Sequence, residues 1–166
     1  MILILTLIAC SLAIQATPDL SGTWTIDMNR SAAAGGGTGA RDEAGGGRGG
    51  GLGLGAAPDR LTIRQDPRTI NVEERRGTTT TSLKYALDGS TITNTVPAGR
   101  NSGVAATYVT AWRNRRLVTR ITVPDAAGRG GVATYAEVRH LAPDGSLVVE
   151  TTMTGRPNKR TTVYTR

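Results

Sequence analysis

From Leu20 to the end of the chain, outside one Gly-rich stretch, apolar side chains recur at almost every second position, and few folds tolerate that pattern. A period of two puts successive side chains on opposite faces of an extended strand, whereas a helix needs a stripe with period 3.6. Leu20, Gly22, Trp24, Ile26 and Met28 fall on one face, with Ser21, Thr23, Thr25 and Asp27 on the other. The same alternation runs through Leu61/Ile63, Ile70/Val72, Leu83/Tyr85/Leu87 and a short segment from Thr91 to Val96. It continues through Val104/Ala106/Tyr108/Trp112, Leu117/Ile121/Val123, Leu147/Val149/Met153 and a closing segment over 160–166. Residues 133–142 are ambiguous, because Tyr135 and Leu141 lie on one parity while Ala136 and Val138 lie on the other. Nothing after residue 16 offers a helical stripe. With 25 threonines and no phenylalanine, the chain has the β-branched usage of strands and lacks that of a helical bundle. Asp66-Pro67-Arg68, Asp88-Gly89, Asn114-Arg115 and Asp144-Gly145 read as hairpin turns, so neighbouring segments run antiparallel. A half-solvated meander of this length must hide its edges. The expected fold is therefore all-β: an antiparallel up-and-down β-barrel of eight to ten strands, wide enough for packed side chains or one small ligand.

Two segments stand outside that pattern. Residues 2–14 are uncharged and apolar, too short to cross a bilayer as a helix but matched to the hydrophobic stretch of a secretory signal. The expectation is a signal peptide over 1–16, with cleavage after Ala16 and a secreted or periplasmic protein. The rival reading is a buried N-terminal strand. Leu7-Ile8-Ala9-Cys10 also resembles a bacterial lipobox, which would anchor the chain through a lipid on Cys10. The second segment is Gly-rich: residues 32–57 hold Ala-Ala-Ala-Gly-Gly-Gly and a run around Arg48, and twelve of the 22 glycines fall between Gly35 and Gly55. Such composition buries too little apolar area to offset its ordering entropy, so a disordered loop within a single 17–166 domain is expected.

The first segment reads Leu20-Ser21-Gly22-Thr23-Trp24-Thr25-Ile26-Asp27, and Gly22-Thr23-Trp24 resembles the Gly-x-Trp signature on the first strand of lipocalins and related calycin barrels. The stretch from Leu20 to Arg166 is similar to small secreted bacterial lipocalin-like proteins, most of unassigned function. These run from a Ser-Gly-Thr-Trp start to a last strand like Val163-Tyr164-Thr165-Arg166. The resemblance implies a barrel of eight strands, as in lipocalins, or ten, as in fatty-acid-binding relatives. It also implies that a basic residue near the last strand, here Arg166, packs over Trp24. On that basis Gly22, Trp24 and Arg166 form a structural signature, with Trp24 closing one end of the barrel.

The formal charge is +7 and the sequence pI is near 10.5. In a meander, loops alternate between the two ends. Counted this way, the end with the long connectors collects most of the net charge, including Arg30, Arg75, Arg76, Arg100, Arg129, Lys159 and Arg160. A basic mouth of this kind would draw an anionic ligand or an anionic envelope surface. The plainer alternative is that these arginines only solvate the surface. Nucleic acid is not expected as a partner, because the few aromatics share the apolar parity instead of lining a basic face. With one cysteine and one histidine, His140, a disulfide framework and a zinc ribbon are excluded. No triad surrounds His140, and Glu137 and Glu150 read as mid-strand groups facing water. Neither a catalytic residue, a metal site nor a cofactor is therefore expected. The sequence points to a monomeric, non-enzymatic barrel that takes a small apolar or amphiphilic molecule, anionic if the basic mouth selects it, against Trp24, Tyr85, Tyr108, Trp112 and Leu117. A filled, ligand-free module of the cell envelope is the competing class.

Overall fold

The computed structural model describes residues 17–34, 57–98, 102–124, 131–155 and 159–166. The expected leader, Cys10 and most of the Gly-rich segment lie outside the described residues. Ten strands follow in order: β1 (Gly22–Ile26), β2 (Arg60–Gln65), β3 (Thr69–Arg76), β4 (Thr79–Ala86), β5 (Asp88–Ala98), β6 (Ser102–Arg113), β7 (Arg116–Pro124), β8 (Val132–Leu141), β9 (Leu147–Met153) and β10 (Lys159–Thr165). They form one antiparallel sheet in the order β4-β3-β2-β1-β10-β9-β8-β7-β6-β5. Consecutive strands pair from β1 to β4 and from β5 to β10, and β1 also pairs with β10, Thr25 opposite Thr165. That junction rolls the meander into an up-and-down barrel of ten strands. All ten segments found by alternation are strands, including the ambiguous one.

One element departs from the alternation. Met28 was expected on the inner face of the first strand, but it opens a short helix, α1 (Met28–Ala33), and is 53% exposed. The cause is local. The Asp27 carboxylate accepts the Arg30 amide at 3.0 Å as an N-cap, and this competes with continued extension. Ser31 is buried and locks the helix to the last strand: its Oγ accepts the Val163 amide at 3.0 Å and donates to the Asp27 carbonyl at 2.6 Å. Residues 32–34 of the expected loop thus belong to this helix and its cap. Arg30, assigned from the loop count to the basic mouth, instead pairs with Asp144 at 2.9 Å in the β8–β9 turn at the other end.

The barrel is nearly closed. No ladder joins β4 to β5, although they follow one another in the chain. A side chain spans the seam instead. Asn94 of β5 accepts the Lys84 amide at 2.8 Å through Oδ1 and donates to the Lys84 carbonyl at 2.9 Å through Nδ2. Its carboxamide reproduces what a facing backbone would supply, and it is buried. Asn94→Leu should therefore cost about 1–3 kcal/mol, the penalty for leaving part-buried backbone groups unsatisfied. Urea denaturation measures the loss. Hydrogen exchange at the Lys84 amide should accelerate more than at the Val72 amide, and equal acceleration at both would show that the seam is not held there.

The interior is mostly apolar, with charged side chains set among the apolar ones. Leu20, Trp24, Leu61, Ile63, Ile70, Leu117 and Leu147 are fully buried, each large aliphatic side chain worth about 1.5–3 kcal/mol when taken from water. Glu74 and Arg139 are buried in the same interior.

Candidate functional site

The parity of β8 decides the site. Its register places Glu137 between Thr119 of β7 and Thr151 of β9, and Arg139 between Leu117 and Val149. Leu117 and Val149 are core residues, so Tyr135, Glu137, Arg139 and Leu141 face inward while Ala136, Val138 and His140 face out. The expectation that Glu137 faces water is corrected: it points into the barrel beside Arg139. Glu150 does lie on the outer face, held by Lys159 at 2.9 Å. Burial pushes the ring of His140 below its usual range, with the Arg116 charge adding to the effect.

Arg139 is 2% exposed, and one of its nitrogens carries nearly all its partners. Nη2 donates to the Tyr85 hydroxyl at 2.9 Å and lies 2.9 Å from Glu137 Oε1 and 3.7 Å from Glu74 Oε1. The guanidinium also sits 4.8 Å from the centre of the Tyr85 ring, and Tyr85 meets Tyr108 edge to face at 5.5 Å. Glu74 has a second cation, Arg76, at 2.8 Å. Glu137 Oε1 is close to Arg139 but is not aligned as a hydrogen bond. Nε and Nη1 of Arg139 find no acceptor among the described residues.

Electrostatics follow from this packing. Burial works against the Arg139 charge, but Glu137 first, then Tyr85 and Glu74, more than offset it and hold the guanidinium charged. Burial pushes the Glu137 carboxyl above the usual carboxylate range, and Arg139 only partly counters this. Burial raises the phenols of Tyr85, Tyr108 and Tyr164, which therefore stay neutral.

Two small cavities flank the cluster and share Glu74, Arg76, Ile121 and Glu137. The first lies against the β4–β5 seam, between Thr81, Leu83 and Tyr85 on one side and Val96, Pro97 and Tyr108 on the other. The second holds Arg139, with Leu61, Val149, Thr151, Arg160, Thr162 and Tyr164 around it and Ala57 and Pro58 at its rim. Their non-atom space is about 350 and 480 Å³, figures that include interstices and the open side. The enclosed part of each has room for one or two water molecules. Most of the interior is thus occupied by side chains.

Among the aromatic and aliphatic side chains named from the sequence, Tyr85 and Tyr108 border the first cavity. Trp24 and Leu117 are buried in the core and Trp112 is half-buried against it; none of the three borders either cavity. Arg166 lies 4.8 Å from the centre of the Trp24 ring and donates to the Ser21 carbonyl at 3.3 Å. Gly22 explains its own presence in the signature. Its φ is +140°, and a Cβ there would stand 3.5 Å from Arg166 Nε and 3.7 Å from Trp24 Nε1. The residues that alternation alone missed are Glu74, Glu137 and Arg139, the polar members of the inner face. The signal was available in β8, where reading odd positions as inward leaves two charged side chains inside.

This fold defines a class, the calycin-like up-and-down barrel. Within it, a solved structure described as a REP1-NXSQ fatty acid transporter superposes on the chain with a TM-score of 0.56 at 16% sequence identity. The match covers 89% of this chain and 95% of that one. No family model matches the chain, and no curated protein matches it.

Proposed function

We propose that the barrel binds a small amphiphilic molecule with a monoanionic head, the head seated beside Arg139 and the apolar part against Leu61, Ile121 and Val149. The observation that carries this reading is a buried guanidinium with two nitrogens, Nε and Nη1, left without an acceptor at a cavity wall. An unpaired buried donor costs about 1–3 kcal/mol, and an acceptor oxygen on a ligand would remove that cost. Arg76 and Arg160 on the same wall favour an anion over a neutral acceptor. The fatty acid transporter of similar fold supports an amphiphile as the occupant. The leader-like residues 2–14 support a secreted or periplasmic location, where such a carrier would meet lipids or their breakdown products.

The filled interior favours a second reading, an envelope module without a ligand, because neither cavity takes a long chain until side chains move. Native mass spectrometry of gently purified protein and titration with a fluorescent fatty-acid analogue separate the two. The binding reading expects a co-purified mass or saturable fluorescence, both reduced at least tenfold in Arg139→Gln. No co-purified mass and no saturable signal would leave the module.

A further inference from the structure

Arg139 already answers to two carboxylates. A ligand anion on its free Nε and Nη1 edge would put a third negative group around one guanidinium, in an interior where water screens little. The two carboxylates are not equivalent in what they would lose. Glu74 keeps Arg76 at 2.8 Å whatever happens to Arg139. Glu137 lies 2.9 Å from Arg139, the strongest of the positive charges acting on it, with Arg160 and Arg76 acting more weakly, so it bears the competition. We propose that this site takes up a monoanionic head together with one proton, and that Glu137 accepts the proton.

The proposal rests on the binding reading above and adds its regulation. The balance is simple: the ligand anion and one solvent proton enter, the Glu137 carboxylate becomes a carboxylic acid, and the net charge of the interior is unchanged. Other charged or titratable groups facing Glu137 do not take this role. Glu74 and Arg76 on β3 hold each other, Arg139 on β8 and Arg160 on β10 are cations, and Tyr85 on β4, Tyr108 on β6 and Tyr164 on β10 remain neutral phenols. On its two sheet neighbours, Glu137 meets Thr119 and Thr151, neither of which titrates in water. Burial already pushes Glu137 in the required direction. Glu137 is thus a positioning residue for the anion's charge and not a direct ligand of the head.

Linkage fixes the sign. Binding raises the proton affinity of Glu137, so affinity for the anion falls as pH rises, by up to about tenfold per pH unit where a full proton is taken up. The test is titration calorimetry of the full chain with decanoate between pH 7 and 8, in phosphate and in Tris, whose ionisation heats differ. Wild type should give buffer-dependent heats corresponding to uptake of close to one proton, and affinity should weaken as pH rises. Glu137→Gln should bind decanoate at least as tightly, with equal heats in both buffers and no slope with pH. Saturable wild-type binding with equal heats in both buffers would overturn the proton coupling and leave the binding reading intact, as would a Glu137→Gln variant that keeps the buffer dependence. No saturable binding by wild type would overturn the binding reading itself.

Discussion

Replacing Arg139 by methionine will destabilise the barrel by about 3–5 kcal/mol. Methionine fills much of the volume, so the cost is not mainly a cavity. It arises because Glu137 and the Tyr85 hydroxyl lose the nitrogen that both approach at 2.9 Å, while remaining buried. Glu74 is buffered by Arg76 and contributes less. The distinguishing result comes from a second variant. Arg139→Met with Glu137→Leu removes both the cation and the carboxylate left without it, and should recover at least half of the lost stability, since a buried ion pair replaced by apolar groups is often close to neutral. Urea denaturation of the two variants decides the matter. If the double variant is less stable than Arg139→Met alone, the cluster stabilises the barrel in its own right and the orphaned-charge account is wrong.

That cluster is also where the sequence was least legible. Alternation rests on apolar residues marking the inner face, and it located all ten strands because most inner positions are Leu, Ile, Val or Tyr. β8 breaks the rule at its centre. Glu137 and Arg139 sit inside while Val138 sits outside, so hydrophobicity points to the wrong face for the residues that matter most. Only the register with β7 and β9, a property of the assembled sheet, settles the parity. Met28 failed for a different reason. Its parity fits the strand, but the Asp27 cap and the Ser31 anchor end the strand first, and both act through hydrogen bonds that no hydrophobic pattern encodes. By contrast, Gly22, Trp24 and Arg166 come together through local geometry: a positive φ, a large ring and a cation 4.8 Å from its centre. The contrast follows from the energetics. Apolar burial leaves a periodic trace along the chain, whereas this charged cluster is assembled from single positions on β3, β4 and β8 that have no local signature.

Trp24→Ala is the other large-effect substitution, with an expected loss of about 3–5 kcal/mol. Trp24 is the largest fully buried side chain in the barrel, and its strand pairs with β2 through Leu61, another core residue. Truncation would open a void that a sheet closed on both sides cannot collapse around, because β1 is the strand through which the two arms of the meander meet. Two lesser variants divide that loss by cause. Trp24→Phe keeps an aromatic ring but deletes the indole N–H that donates to the Leu20 carbonyl at 3.0 Å, so about 1–3 kcal/mol should go. Arg166→Met keeps an apolar stem over the ring and removes only the cation, at a cost of about 0.5–1 kcal/mol for an exposed contact of this type. Equilibrium denaturation should therefore rank the variants Trp24→Ala, Trp24→Phe, Arg166→Met in order of decreasing loss. Should Arg166→Met cost as much as Trp24→Ala, the signature would be held by the charge above the ring and not by the packing below it. The core around Trp24 would then owe its stability to its surface, contrary to the burial of Leu20, Leu61 and Leu147.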